Sequence, residues 1–139
     1  MTWPAFTLLC ATTAAHGQLF EADSKRQGDS KMAKMDIVIT EVERRPHASV
    51  IDIKITDVGS SVGSSFFLLC SIRQLAQLRG NYRYAVKIEE KPMRGQMLIG
   101  FLRNPADSVA DLGPEFAAIG GGTPVIDLDE FAQICEMTK

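Results

Sequence analysis

The central segment of the chain is GSSVGSSFFLLCSIRQLAQLRGN, from Gly59 to Asn81. At about 100° per residue, its main apolar side chains fall within one arc of about 120°, which predicts an amphipathic helix of about four turns that lies on a sheet. Ser64 or Ser65 is expected to cap the start of this helix, and Gly80 to take the left-handed conformation just past its end. The side chains in the arc are Leu68, Leu69, Ile72, Leu75 and Ala76.

Alternating segments on both sides of this helix predict four strands. Residues 36–43 (DIVITEVE) and 49–57 (SVIDIKITD) are joined by a short connection, which predicts an antiparallel hairpin. Residues 81–90 alternate again, and residues 96–103 (QMLIGFLR) are apolar on both faces, which predicts a central or doubly covered strand. The side chains expected to point into the core are Ile51, Ile53, Ile55, Tyr82, Tyr84, Val86 and Ile88.

A last helix is predicted near the end of the chain. Asp127 and Glu130 have the spacing of a capping box, and one apolar stripe follows them. Residues 36–139 are therefore expected to form a single α+β domain in the order β-β-α-β-β-α. In this arrangement a four-stranded, mainly antiparallel sheet carries the central helix on one face.

Residues 1–17 have the outline of a secretory signal peptide, with a short apolar segment followed by small residues, although the usual positively charged start is missing. The domain is then exported to the periplasm or secreted, and residues 18–35 form a flexible polar linker. Lipid attachment at Cys10 is a further alternative, but the bulky Leu9 fits its consensus poorly. A disordered tail, with Met32 or Met35 as the start of a cytoplasmic protein, and a structured amino-terminal segment also stay open.

Two cysteines remain if the first 17 residues are removed. Cys135 lies on the apolar stripe of the last helix, and Cys70 lies on the side of the central helix that needs a cover. An oxidising compartment would favour a disulfide between them. The alternative is two separate buried thiols that behave as small hydrophobic side chains.

Several classes of function are disfavoured by composition. The 139 residues carry a formal charge of −2, which gives no basic face for nucleic acid, and no apolar run reaches the length of a transmembrane helix. Two histidines and no C-x-x-C motif give no metal site, and no cofactor is expected. Residues 59–63 match G-x-S-x-G, but no histidine follows Ser61 to act as its base, so no catalytic residue is assigned.

The run LLCSIRQLAQLRGNYRYAVKI resembles a pattern in small exported proteins and lipoproteins of Gram-negative bacteria, in which a helix ends in glycine and an aromatic residue begins the next strand. Gly80 and Tyr82 hold these places, and the resemblance extends from Val50 to Phe101. Most such proteins have no established activity, so the resemblance implies an envelope location and no functional residue.

The sequence favours two functions over a third, an enzyme of unfamiliar type. The first is a non-enzymatic domain that acts by contact with a protein partner or by self-association, because exposed strand edges are ready pairing templates. The alternative is a small-ligand or anion-binding protein that uses backbone N–H groups at the start of the central helix. Its site would consist of Ser61, Gly63, Ser64 and Ser65.

Overall fold

The computed structural model describes residues 19–27, 34–119 and 123–137. Within these ranges the strands are β1 (Glu21–Asp23), β2 (Asp36–Arg45), β3 (Ala48–Asp57), β4 (Tyr84–Glu89), β5 (Gln96–Leu102) and β6 (Ile126–Asp127). The α-helices are α1 (Ser61–Gly80), α2 (Pro114–Ile119) and α3 (Ala132–Met137), and 3-10 helices cover Ser24–Gln27, Val109–Leu112 and Leu128–Phe131. The strands form one antiparallel sheet, in the order β1-β2-β3-β5-β4-β6, that curls into a half-barrel.

The predicted four-stranded sheet with the order β-β-α-β-β-α is wrong. The sheet has six strands, because β1 and β6 add to its two edges, and three helices accompany it. The added strands are three and two residues long, too short to show an alternating pattern in the sequence. Strand β1 comes from the segment expected to be a linker, and it pairs with β2 through Ala22 opposite Ile39.

Helix α1 packs on one face of the sheet, as its apolar arc predicts. Ile72, Leu75 and Ala76 are buried against the sheet. The predicted caps are wrong by a few residues: the Ser60 side chain accepts the first cap hydrogen bond, and Asn81 takes the left-handed conformation at φ 56°. The first turn, from Ser61 to Ser64, contains only one large apolar side chain, Val62, and so carries no periodic signal; the pattern therefore places the helix start too late.

Strand β5 lies between β3 and β4 and is covered on both faces, which confirms the prediction from its apolar run. Ile99 and its neighbours on one face pack with α1, whereas Leu98 and Leu102 on the other pack with the segment that contains α2. Gly100 allows this second layer to approach, because a Cβ atom there would lie 2.6 Å from Leu112 Cδ1 and 2.8 Å from Phe116 Cζ. The side chains of Tyr84, Val86 and Ile88 join this second layer rather than the α1 side.

A buried carboxylate, that of Glu41, lies near the β2–β3 hairpin. Glu41 is 1% exposed, and its oxygens accept hydrogen bonds from Ser49 Oγ at 2.5 Å, Arg44 Nη2 at 2.6 Å and the Phe20 amide at 3.1 Å. Burial opposes ionisation of Glu41, but the hydrogen bonds from Arg44, Ser49 and Phe20 outweigh it and lower its pKa. Glu41 is therefore held as a charged, satisfied group.

Arg79 joins the end of α1 to the same hairpin. Its guanidinium donates to Ser49 Oγ at 2.6 Å, to the Ala48 carbonyl at 2.8 Å and to the Arg45 carbonyl at 2.6 Å. Burial, together with the nearby charge of Arg44, lowers the pKa of Arg79. Arg79 lies in the last turn of α1, the end of the helix next to the hairpin. Among the residues that the structure describes, no comparable hydrogen bonds join the first half of α1 to the hairpin.

None of the helices in the described ranges has both the length and the apolar character needed to cross a membrane.

Candidate functional site

An apolar groove runs between the first half of α1 and the far end of the sheet. It consists of two adjoining cavities of about 140 and 370 Å³, both lined by Ile53, Ile55 and Leu68. We call it the mouth groove. The smaller cavity also touches β2 and the start of α1, and the larger one reaches the β4–β5 turn. The remaining lining residues are Ile37, Ile39, Ser64, Ser65, Glu89, Glu90, Gly95, Gln96 and Met97.

The mouth groove exists because β3 extends beyond β5. Strand β5 pairs with β3 only over Ala48–Asp52, and one further hydrogen bond joins the Ile53 amide to the Gly95 carbonyl at 2.9 Å. The chain then leaves the sheet in the β4–β5 turn. Residues 54–57 are paired with β2 on one side, and no described strand lies along their other side.

Ile55 is the exposed apolar side chain at the centre of this region. Its cross-strand neighbour Ile37 is 4% exposed, but Ile55 is 53% exposed. The prediction that Ile55 is a core residue is therefore wrong, because its side chain is exposed. It does share a sheet face with Ile51 and Ile53, as predicted. Val62, in the first turn of α1, is also exposed. Covering a side chain of this size contributes about 1.5–3 kcal/mol, so this surface can bind an apolar segment.

Two carboxylates border the larger cavity at the β4–β5 turn. Glu89 accepts a hydrogen bond from Lys87 Nζ at 3.2 Å, and Glu90 accepts one from the Gly95 amide at 3.2 Å. Both glutamates are exposed. Glu89 is therefore ion-paired with Lys87, so Glu90 provides the acidic border at this end of the mouth groove.

The four residues of the predicted anion site lie in the first two turns of α1. The Gly63 amide is used within the helix, since it donates to Ser60 Oγ at 2.9 Å, and Ser64 Oγ donates to the Ser61 carbonyl at 3.1 Å. Ser64 and Ser65 line the mouth groove, whereas Ser61 and Gly63 are not among its lining residues. Anion binding at these four residues stays a prediction.

Of the two alternatives for Cys70 and Cys135, the structure has the disulfide. Cys70 and Cys135 are bonded, with their Cα atoms 5.4 Å apart, and both are buried. The bond fastens α3 to α1, and an ion pair between Arg73 and Glu136 at 3.4 Å lies nearby. The carboxy-terminal segment is thus the cover that the position of Cys70 on the helix requires.

A second, more polar cleft of about 350 Å³ lies at the opposite end of the sheet, beside His47. Arg103 in its wall stacks 4.2 Å above the Tyr82 ring and donates to the Gly80 carbonyl at 3.0 Å. Asp107 accepts a hydrogen bond from the Asn104 amide at 3.0 Å. Arg103 and Asp107 therefore hold local loops in place.

Metal ligands do not cluster in the described part of the chain, where no group of three or more His, Cys, Asp or Glu side chains could hold a metal ion. The predicted signal peptide over residues 1–17, the lipid-attachment cysteine Cys10 and the alternative start Met32 lie outside the described residues. Met35, the other alternative start, is a buried core residue.

Comparison with family models, with curated proteins and with solved structures finds no match to this chain. The mouth groove is therefore the feature from which a function can be inferred.

Proposed function

We propose that this protein acts by contact with another protein, from which it takes an apolar segment into the mouth groove. The observation that carries this proposal is that Ile55 on β3 is 53% exposed although Ile37, directly opposite on β2, is buried. Leu68 and the two cavities around it provide the walls. Contiguous exposed apolar surface with a polar border is typical of an interaction site.

The size of the mouth groove sets the strength of the contact. Burial of each large apolar side chain contributes about 1.5–3 kcal/mol, and association itself costs at least about 4 kcal/mol. A segment that fills both cavities with two or three side chains therefore gains only a small surplus from the groove alone. Further contacts along the segment are needed for a stable complex.

The proposed place of this contact is the periplasm or the outside of the cell. Support comes from the buried disulfide between Cys70 and Cys135, because disulfides persist in oxidising compartments. Labelling of Cys70 and Cys135 in protein from its own cells, acid-quenched and then denatured so that buried thiols become accessible, tests this part of the proposal. Protected cysteines are expected, and free thiols would place the protein in a reducing compartment.

Photo-crosslinking from residue 55 tests the proposed contact. A photoreactive amino acid replaces Ile55 in the full chain, expressed in the source cells, and the matched control carries the same group at Val42, which is 45% exposed on β2 and does not line the mouth groove. We expect one defined protein adduct from residue 55, lost when Leu68→Asp is added, and no such adduct from residue 42.

The mass of the adduct identifies the occupant. An adduct with another protein supports the proposal, and an adduct of two copies of this chain replaces the partner by self-association. Equal, diffuse labelling from residues 55 and 42 would overturn the mouth groove as a contact site.

A further inference from the structure

We infer that the partner segment enters the mouth groove as an extended strand, adds to the open edge of β3 in the antiparallel direction, and carries a basic residue at its carboxyl end. This inference rests on the proposed function and specifies the mode of contact and the chemistry of the partner.

The open edge is visible in the backbone hydrogen bonds of β3. The Ile53 amide points away from β2, since it donates to the Gly95 carbonyl. Backbone groups two residues apart on a strand point the same way, so the N–H and C=O groups of Ile55 also point away from β2. Strand β2 shows the same arrangement from its side: the Ile37 amide, opposite Ile55, donates to Ser24 Oγ and not to β3.

The N–H and C=O groups of Ile55 therefore do not pair with β2, β5 ends before them, and no described turn or loop backbone group bonds to them. Unpaired groups of this kind on a strand edge are a template for an added strand, which supplies main-chain hydrogen bonds as well as side-chain contacts. Strand addition therefore provides the further contacts that the apolar groove needs for a stable complex.

The direction of the added strand follows from the sheet. Both existing partners of β3 run antiparallel to it. A strand that continues the line of β5 along residues 54–57 therefore starts near Asp57 and ends beside Gly95. Antiparallel pairing is also slightly the more stable arrangement per residue.

The pattern of the partner's side chains follows from its direction. Residues directly opposite each other in an antiparallel pair project to the same face, so the residue opposite Ile55 points toward α1 and into the mouth groove. Every second residue of the partner is then apolar, and the intervening residues face away from α1.

The acidic border sets the charge of the partner. Glu89 and Glu90 lie at the Gly95 end of the mouth groove, which is the end where an antiparallel segment terminates. Glu89 already pairs with Lys87, so a lysine or arginine at the carboxyl end of the segment would meet the Glu90 carboxylate, which has no ion pair among the described residues. Such exposed charges contribute mainly to orientation and selectivity.

A synthetic peptide tests the inference: an acetylated, amidated heptapeptide in which threonine and isoleucine alternate and lysine is the last residue. Titration of this peptide into the full chain, followed by calorimetry and by backbone amide NMR, is expected to show saturable binding with the largest shifts around Ile55. The matched peptide, with lysine moved to the first position, is expected to bind about two- to fivefold more weakly.

Methylation of the peptide's backbone nitrogens separates strand addition from simple burial in the groove. Alternate amides of an added strand point toward β3, so one set of methylated positions is expected to weaken binding by about tenfold or more, and the other set to leave it nearly unchanged. Protein variants test the side-chain contact in the mouth groove separately. Ile55→Asp is expected to abolish peptide binding, and the control Val42→Asp is expected to retain it.

Each outcome decides between the two proposals. If both methylated peptides bind like the parent and Ile55→Asp still abolishes binding, strand addition is overturned and the mouth groove stands. If Ile55→Asp binds like Val42→Asp, the groove contact fails as well. Tighter binding of the peptide with the amino-terminal lysine overturns the antiparallel direction, and no binding at millimolar peptide overturns the inference.

Discussion

Removal of the Cys70–Cys135 disulfide is expected to lower the free energy of unfolding by about 4 kcal/mol. The two cysteines are 65 residues apart in sequence. In the chain-entropy model, closing a loop of this length removes about 15 cal/mol/K of entropy from the unfolded chain, which corresponds to that free energy at 25 °C. Because small domains are stable by only about 5–15 kcal/mol, this bond is a large share of the total.

Urea unfolding of wild type, Cys70→Ala, Cys135→Ala and the double variant measures this contribution. Each single variant breaks the same bond, so all three are expected to lose nearly the same stability, and wild type treated with a reductant is expected to match them. A loss of less than about 1 kcal/mol in the double variant would contradict this estimate, since closing the loop would then not reduce the conformational entropy of the unfolded chain.

Three further predictions concern the sheet. Gly100→Ala is expected to cost about 1–3 kcal/mol in urea unfolding, because its methyl group would collide with Leu112 and Phe116, and Leu112→Ala is expected to cost less in the Gly100→Ala background than in wild type. The lowered pKa of Glu41 contributes stability that is complete above the ordinary glutamate pKa of about 4.3, so stability measured between pH 7 and 3 begins to fall below that value and continues to fall toward the lower pKa of the folded state, less steeply in Glu41→Gln. Deletion of residues 1–31 removes β1 and the Phe20 hydrogen bond to Glu41, and is expected to lower the unfolding midpoint by an amount that corresponds to about 1–3 kcal/mol.

Each of these expectations has a result that contradicts it. Wild-type stability of Gly100→Ala would mean that the layer containing α2 does not press on β5. Identical acid profiles of wild type and Glu41→Gln would mean that the carboxylate is not held in its charged form by the fold. Unchanged stability after the deletion would mean that β1 is not an integral strand of the sheet.

The long periodic elements could be predicted from the sequence. The apolar arc that contains Ile72 and Leu75 places α1 on the sheet, and the two-sided apolar run of β5 places that strand in the centre. Cys70 lies off the arc, which predicts a cover over that side of the helix, and the disulfide to Cys135 confirms it. These successes rest on repeated local signals that extend over many residues.

The edge strands and the helix caps could not be placed from the same signals. Strands β1 and β6 are too short for alternation, and their pairing depends on distant segments of the chain. Ser60 and Asn81 cap α1 although neighbouring serines and a glycine fit the same roles, because local cap chemistry does not distinguish residues so close in sequence.

The mouth groove could not be predicted because it combines distant parts of the chain. Alternation shows that Ile51, Ile53 and Ile55 share a face, but it does not give the depth of each side chain. That depth depends on where β5 ends against β3 and on where Leu68 of α1 lies, both set by long-range packing. The place of Glu90 at the border of the groove depends on the same pairing.

Amide hydrogen exchange at Ile53 and Ile55 in the protein without a partner tests the open edge of β3 most directly. The two amides lie two residues apart and point the same way, but only that of Ile53 has a bonded carbonyl, Gly95, among the described residues. We expect the Ile55 amide to exchange at least about 100-fold faster than the Ile53 amide under native conditions. Equal protection of the two amides would show that the edge is already covered and would contradict the account.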